Sequence, residues 1–355
     1  MNNIARIQKS LIEKDLDAIY IENEKNQRYA AGFPFTDGAV VVAREGAWLI
    51  TDSRYIEAAG NSAEGVEVLL YDREHPLSEH LTALFTKTGA QKLGIEENSL
   101  SYARYLKLKE LCSCELVPAQ AVLSGLRAAK TDEEIGYMKE AQAISEAALS
   151  DILGIIRPGM TEREIAAELV YAMLRHGSEG NSFDPIVVTG RKTSLPHCVP
   201  GDRVVQEGDF LTMDFGCIKH GYCSDMTRTV AIGHATDEMR KVYSIVLEAQ
   251  LAGIAFSSAG KLGCEIDAAA RKVITDAGYG PYFGHGYGHS LGLDIHELPG
   301  ANPSGKTPMP AGAVVSAEPG IYLPGRFGVR IEDVVVMREG GCEVITKAPK
   351  DLLIL

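Results

Sequence analysis

Long hydrophobic runs are missing from this chain. Nowhere in its 355 residues does a stretch approach the roughly 18 consecutive apolar residues that a membrane span requires. The opening MNNIARIQKSLIEKDLDAIY puts a charge every few residues and holds no apolar h-region, so a secretory signal is not expected there. An excess of basic charge is missing as well: 35 Lys plus Arg stand against 48 Asp plus Glu, a net charge of −13. A nucleic-acid partner wants a basic face, and this balance argues against one. The seven cysteines are an odd number without framework spacing, which fits reduced thiols in a cytosol. Cys112-x-Cys114 is not a zinc spacing, and all seven read as small buried hydrophobes. The HEXXH pattern of helical zinc proteases occurs nowhere.

At this length one ordinary core is not enough, and two domains are expected, residues 1–124 and 125–355. The first reads as mixed α/β: short β-type runs at Asp17–Ile21, Ala39–Ala43, Trp48–Thr51, Val66–Tyr71 and Lys92–Glu96 alternate with helical stretches such as Ser78–Lys87. A boundary is expected near Ser124–Thr131. Thr131 and Glu134 then form a capping box, followed by a helical stripe of Ile135, Met138, Ala141, Ile144, Ala148, Ile152 and Ile155 that Pro158-Gly159 stops. Thr161 and Glu164 open another helix ending near His176-Gly177, and a third runs from about Asp237 to Phe256.

The chemistry-bearing residues fall in the second region: Asp214, Asp225, His289, Glu318 and Glu332. Brought together, four carboxylates and one imidazole would carry roughly four negative charges, a density that Coulomb repulsion forbids unless cations lie between them. The local settings favour convergence. FLTMDF and YCSDMTRTV are strand-like with Lys219-His220-Gly221 between, and a tight hairpin centred near 219 and 220 sets Asp214 opposite Asp225. Opposed like charges destabilise a sheet, so such a pair makes sense as a chelate; two incidental aspartates on a solvated hairpin edge are the competing reading. The segment His285–Glu297 holds three of the nine histidines, with glycines at 286, 288 and 292 where backbone can approach a ligand. Glu318 and Glu332 lie in apolar, β-branched stretches where a half-buried carboxylate needs a partner or a metal. Glu332 has Arg330 two residues away as an ordinary partner, whereas Glu318 has none in sequence view.

These residues resemble the pita-bread metallopeptidases, the family of prolidase, aminopeptidase P and methionine aminopeptidase. Two aspartates eleven residues apart, a histidine in GHxxG, a glutamate in EPG and a final glutamate follow in order, over roughly Thr131–Leu355. Tyr29-Ala-Ala-Gly-Phe33 and Thr51-Asp-Ser-Arg-Tyr55 look like the N-terminal creatinase-like domain of the Xaa-Pro branch. The resemblance implies two divalent metal ions, Mn2+ first and Co2+, Zn2+ or Fe2+ as alternatives. Asp214 would bind one ion, Asp225 and Glu332 would bridge both, and His289 and Glu318 would complete the second. A hydroxide between the ions would attack the scissile carbonyl. Glu318 would shuttle the proton, His197, His285 and His296 would orient substrate, and Arg330 would support the glutamates. It further implies a cytoplasmic homodimer acting on proline-containing peptides, with no membrane or nucleic-acid partner. Two departures stand out: Ser290 replaces a common glycine, and Gly300 stands where some prolidases have an arginine suited to a dipeptide carboxylate, with Arg326 as a possible substitute. A non-catalytic binding protein on the same fold is the alternative of a different class.

Overall fold

The computed structural model describes residues 2–355. They form two compact units, divided between Arg127 and Ala128. In the first unit, helices α1 (Asn3–Glu13), α2 (Glu24–Ala31), α3 (Ile56–Ser62), α4 (Leu77–Thr88), α5 (Tyr102–Leu111) and α6 (Gln120–Ala128) accompany a six-stranded sheet. Its strands are β1 (Ala18–Ile21), β2 (Gly38–Ala43), β3 (Ala47–Thr51), β4 (Glu67–Leu70), β5 (Lys92–Ile95) and β6 (Glu115–Pro118), in the order β4-β3-β2-β1-β5-β6. The sheet is mixed: β1, β2 and β3 pair antiparallel, while β4, β5 and β6 join in parallel. Every residue of β1 and β3 is buried, the continuous apolar pattern of strands covered on both faces.

The second unit is built from two halves of the same design. Helices α7 (Asp132–Leu153) and α8 (Glu162–Arg175) start at Thr131 and Thr161 with the expected capping boxes. Then come β7 (Gly180–Asn181), β8 (Ile186–Thr189), β9 (Phe210–Phe215), β10 (Cys217–Lys219), β11 (Tyr222–Cys223) and β12 (Met226–Ala231). Helices α9 (Asp237–Phe256) and α10 (Gly263–Asp276) open the second half, followed by β13 (Gly288–Ser290), β14 (Glu297–Ala301), β15 (Val314–Ala317), β16 (Gly320–Leu323), β17 (Phe327–Arg330), β18 (Asp333–Arg338) and β19 (Gly341–Val344). One core packs Ala148, Ile152, Ile165 and Leu169 of the first helix pair against Leu211, Met213 and Phe215 of β9. The other packs Val242, Val246, Ile266 and Ile274 against Val315, Ala317, Val335 and Met337. Because strand side chains alternate, burying Met213 and Phe215 against helices turns Asp214 to the opposite face.

Four expectations need correction. The α7 helix ends at Leu153, before Pro158: Gly154 caps it, and the restriction on a residue preceding proline disfavours helix at Arg157. Ile155 is accordingly 41% exposed instead of joining the stripe. Helix α10 escaped the sequence reading because its N-cap is Leu262, although Glu265 does bond back to the Leu262 amide and Ile266, Ala270 and Ile274 recur at helical spacing. Among the cysteines only Cys217 and Cys223 are fully buried; the other five are half-buried.

The fourth correction concerns the hairpin. His220 and Gly221 both have positive φ, 50° and 76°, the I′ turn that matches strand twist. Lys219 therefore pairs with Tyr222, and Asp214 with Thr227 instead of Asp225. Asp225 comes two residues before Thr227, so the aspartates are diagonal neighbours. A shift of two residues preserves the face, where a shift of one would have separated them. The hairpin is tight at Gly216, whose Cβ would lie 2.0 Å from the Ser224 carbonyl oxygen. Gly216→Ala should therefore lower unfolding stability by about 1–3 kcal/mol in a urea titration; an unchanged midpoint would contradict this close approach.

Candidate active site

All nine residues singled out in the sequence line one cavity of about 610 Å³ in the second unit: Asp214, Asp225, His289, Glu318, Glu332, His197, His285, His296 and Arg330. Each arrives from a different local device. Asp214 projects from β9, and Asp225 follows the hairpin. His289 stands on β13, whose backbone runs so close to β15 that a Cβ on Gly288 would lie 1.9 Å from the Ser316 carbonyl oxygen. Glu318 follows β15, with its amide bonded to the Tyr287 carbonyl at 2.8 Å. Glu332 sits between β17 and β18, and its amide bonds to the Thr227 carbonyl at 3.1 Å.

The donor atoms converge. Ligand atoms of Asp225, His289 and Glu332 lie within 4.8 Å of one another. His289 Nε2 is 3.5 Å from Asp225 Oδ2 and 3.4 Å from Glu318 Oε1. Asp214 Oδ2 accepts from Arg330 Nη2, Glu332 Oε2 from the Thr227 hydroxyl at 2.7 Å, and Glu318 Oε1 from the Ser316 hydroxyl at 3.0 Å. Asp214 Oδ1 and Glu332 Oε1 remain buried without a hydrogen-bond partner. Such atoms are rare in native interiors and call for an explanation. Burial, then like-charge repulsion from Asp214 and Glu318, pushes the Asp225 carboxyl well above the usual carboxylate range. Burial and the charges of Asp225, Glu318 and Asp214 do the same to Glu332, and Glu318 is raised mainly by burial. A cluster of three carboxylates reluctant to ionise, one imidazole and two orphaned oxygens fits divalent cations, which would satisfy both atoms and charges.

Arg330 supports both sides of the cluster. Its guanidinium bonds to Asp214, to the Tyr322 hydroxyl at 2.9 Å and to the Thr227 hydroxyl at 3.1 Å, and that hydroxyl in turn donates to Glu332. Tyr322, which the sequence reading passed over, bonds in turn to His285 Nε2 at 2.9 Å. His285 Nδ1 lies 2.8 Å from the Gly286 carbonyl and must donate to it, so Nε2 accepts and Tyr322 donates. Burial lowers the basicity of His285, His289 and His296, which favours their neutral forms. The strand pairing makes room for Tyr322: in the β16–β17 register it faces Gly328, and Gly320 faces Arg330. Two large polar side chains thus stand opposite two glycines, and a Cβ on Gly320 would meet the Tyr322 hydroxyl at 2.5 Å.

Both departures from the family pattern also have a place. Ser290 is fully buried and its hydroxyl donates to the Pro299 carbonyl at 2.6 Å, tying β13 to β14. Arg326 is paired with Glu238, with half its side chain exposed, and is not among the residues that line the cavity. A Cβ at Gly300 would meet the Asn302 amide nitrogen at 2.6 Å, so that space is already taken. No helix among the described residues is long and apolar enough to cross a membrane.

Comparison with known proteins places this geometry. Residues 136–339 match the model of metallopeptidase family M24, and residues 3–129 match the creatinase/prolidase N-terminal domain. The chain belongs to the M24 metallopeptidases, with the mixed α/β front domain and pita-bread second domain expected from its sequence. It is 43% identical to a solved Xaa-Pro dipeptidase from Bacillus anthracis, with a TM-score of 0.96 over 99% of both chains. An X-Pro aminopeptidase structure from Thermotoga maritima MSB8 is 36% identical, with a TM-score of 0.93 over 98% of this chain and 99% of that one. The Xaa-Pro dipeptidase of Pyrococcus furiosus is 34% identical over 99% of each sequence.

Carboxyls whose folded-state pKa is raised contribute stability at low pH, and that contribution is lost as pH rises through the folded pKa. The metal-free protein should therefore lose thermal stability from acid towards neutral pH at this site, and added Mn2+ should restore it. Glu332→Gln should raise the melting temperature of metal-free protein at pH 8, by roughly 2–4 °C per kcal/mol of relieved repulsion, while reducing the shift caused by Mn2+. A variant that melts lower than wild type without metal and keeps the full Mn2+ shift would contradict the charge argument.

Proposed function

We propose that this chain is a dinuclear-metal peptidase that hydrolyses the Xaa-Pro bond at the N-terminus of peptides or of dipeptides. The observation that carries this reading is the convergence of five ligand side chains, two with orphaned buried oxygens, in a cavity that also holds three further histidines. Asp214 would bind one ion, Asp225 and Glu332 both, and His289 and Glu318 the other. Oxygen-rich ligation with one imidazole suits Mn2+ first, with Co2+, Zn2+ and Fe2+ as alternatives. When bound, the ions supply Lewis acidity and lower the pKa of a coordinated water.

The remaining steps belong to the chain's own side chains. Burial raises the affinity of Glu318 for a proton, which suits a group that accepts one and delivers it to the departing nitrogen. Neutral His285, oriented through Tyr322 and Arg330, and His296, 4.4 Å from the His289 ring, orient the peptide with His197. A prolyl nitrogen carries no N–H, so recognition rests on shape and on the carbonyls. Residues 125–355 act as the catalytic domain and residues 1–124 as its front domain, in a cytoplasmic homodimer; seven free cysteines fit a reducing compartment. Arg326 pairs with Glu238 away from the cavity lining, and Gly300 offers no charge for a dipeptide carboxylate, which favours longer Xaa-Pro-Yaa peptides. A non-catalytic binding role would be expected to alter the ligand set, and no such change is present.

Chelation should abolish hydrolysis of Xaa-Pro peptides and Mn2+ or Co2+ should restore it; undiminished turnover by fully demetallated protein would sink the reading. Asp225→Asn and Glu332→Gln should each lose activity by orders of magnitude while remaining folded. A Xaa-Pro-Yaa tripeptide should be cleaved faster than the matching Xaa-Pro dipeptide, and the reverse ranking would assign the dipeptidase branch.

A further inference from the structure

A strap of chain, Leu195–Gly201, borders the catalytic cavity, and Pro196, His197, Cys198, Val199 and Pro200 all line it. His197 is exposed, and on either side of it Leu195 and Val199 are 53% and 76% exposed. Packing alone does little to hold such a segment in place. Besides the backbone bonds from the Leu195 amide to the Lys192 carbonyl at 3.0 Å and from the Cys198 amide to the Leu195 carbonyl at 3.2 Å, two cations bond its carbonyls on either side of the histidine. Arg330 Nη1 reaches the Pro196 carbonyl at 3.5 Å, and Lys192 Nζ donates to the Val199 carbonyl at 3.1 Å.

Lys192 is itself anchored by Glu162, a completely buried carboxylate in the first turn of α8. Glu162 ties the far end of the strap to the turn that leads into it. Oε1 accepts from the Thr189 amide at 2.9 Å, just before the 3₁₀ turn Gly190–Ser194, while Oε2 accepts from the Gly201 amide at 2.9 Å and from Lys192 Nζ. The helix backbone adds to the grip: the Arg163 amide donates to the Gly201 carbonyl at 3.1 Å and the Glu162 amide to the Arg203 carbonyl at 3.0 Å. Helix N-terminal amides need such acceptors, and the partial positive charge there favours the Glu162 anion.

A buried carboxylate is costly unless paired and fully bonded. Glu162 meets that condition with three donors, from Thr189 and Lys192 before the strap and Gly201 at its end. We propose that the Glu162–Lys192 ion pair is a positioning device that fixes the strap and thereby holds His197 toward the bound peptide. The inference rests on the peptidase reading above, in which His197 touches substrate while Glu162 and Lys192 do not.

The test is a double-mutant cycle on Mn2+-loaded full-length enzyme with a Xaa-Pro-Yaa peptide. Lys192→Met should lower kcat roughly ten- to a hundredfold, the scale of a displaced catalytic group, with KM changed little. In the His197→Ala background the same substitution should cost less than twofold, because there is no imidazole left to misplace. Lys192→Arg, which keeps both hydrogen bonds within reach, should recover most of the loss. Equal losses in both backgrounds, or no loss in either, would overturn the proposal. A second readout needs no turnover: in metal-free protein, Lys192→Met should shift and broaden the His197 imidazole NMR resonance while those of His285 and His289 stay in place, and an unmoved His197 signal would also overturn it. Should loaded wild-type enzyme cleave no proline peptide, the functional reading fails, and the resonance alone decides the clamp.

Discussion

Repulsion among Asp214, Asp225, Glu318 and Glu332 is the constraint on which the rest of the second unit depends. Two unit charges 4 Å apart interact by about 4 kcal/mol at an effective dielectric of 20, so several carboxylates in one buried cavity are a serious cost to any fold. The surroundings offset it only in part. Arg330 neutralises the Asp214 side, Thr227 and Ser316 each lend one hydroxyl, and His289 lies between Asp225 and Glu318. Two carboxylate oxygens are left with nothing. The site remains together because the scaffold is independent of it: two helix-on-sheet cores, each closed by aliphatic packing, present their opposite faces to the cavity. Hydrophobic burial in those cores supplies the free energy that an electrostatically unfavourable site needs.

How much of this was legible beforehand follows from the range of the interactions involved. Capping boxes at Thr131 and Thr161 and the limits of the α9 helix are set by residues within a turn of one another, and the sequence shows them directly. The hairpin register was misread by two residues because the turn centre depends on which residues accept positive φ, and His220 is an unexpected one. The ligands nevertheless stayed on one face, since side-chain direction depends only on odd or even spacing. Helix α10 was missed because half of its cap signal is absent. The five candidate ligands and the three further histidines that line the cavity were legible as residue types in special settings. Their supporting donors were not, because Thr227, Ser316 and Tyr322 belong to strands whose pairing is decided by tertiary contacts.

The glycines show a further layer that residue type alone conceals. Gly288, Gly320 and Gly328 are needed because neighbouring atoms occupy the space where a Cβ would sit. Gly288 lets β13 lie against β15 so that the His289 amide reaches the Ser316 hydroxyl at 3.0 Å, while the same hydroxyl holds Glu318. Gly320 and Gly328 clear room for Tyr322 across the β16–β17 ladder, and Gly328 also admits the Thr193 carbonyl. Space ceded by small residues is thus converted into fixed positions for large polar ones.

The chain Arg330–Tyr322–His285–Gly286 then limits what the cavity can do about its own charge. The Gly286 carbonyl fixes a proton on His285 Nδ1, and Arg330, a donor only, occupies the Tyr322 oxygen, so the hydroxyl proton is directed to Nε2. A second proton on His285 would require the Tyr322 hydroxyl to turn its hydrogen away from Nε2. Burial, helped by the charge of Arg330, lowers the basicity of His285 against the opposing pull of Glu318 and the Gly286 carbonyl. Burial likewise keeps His289 and His296 from charging readily. The single guanidinium charge of Arg330 also acts on Asp225 and Glu318, but one positive charge does not balance four carboxylates. Either protons or external cations must balance them. At neutral pH, where free protons are scarce, a site that holds its carboxylates close and its histidines neutral is organised to take cations.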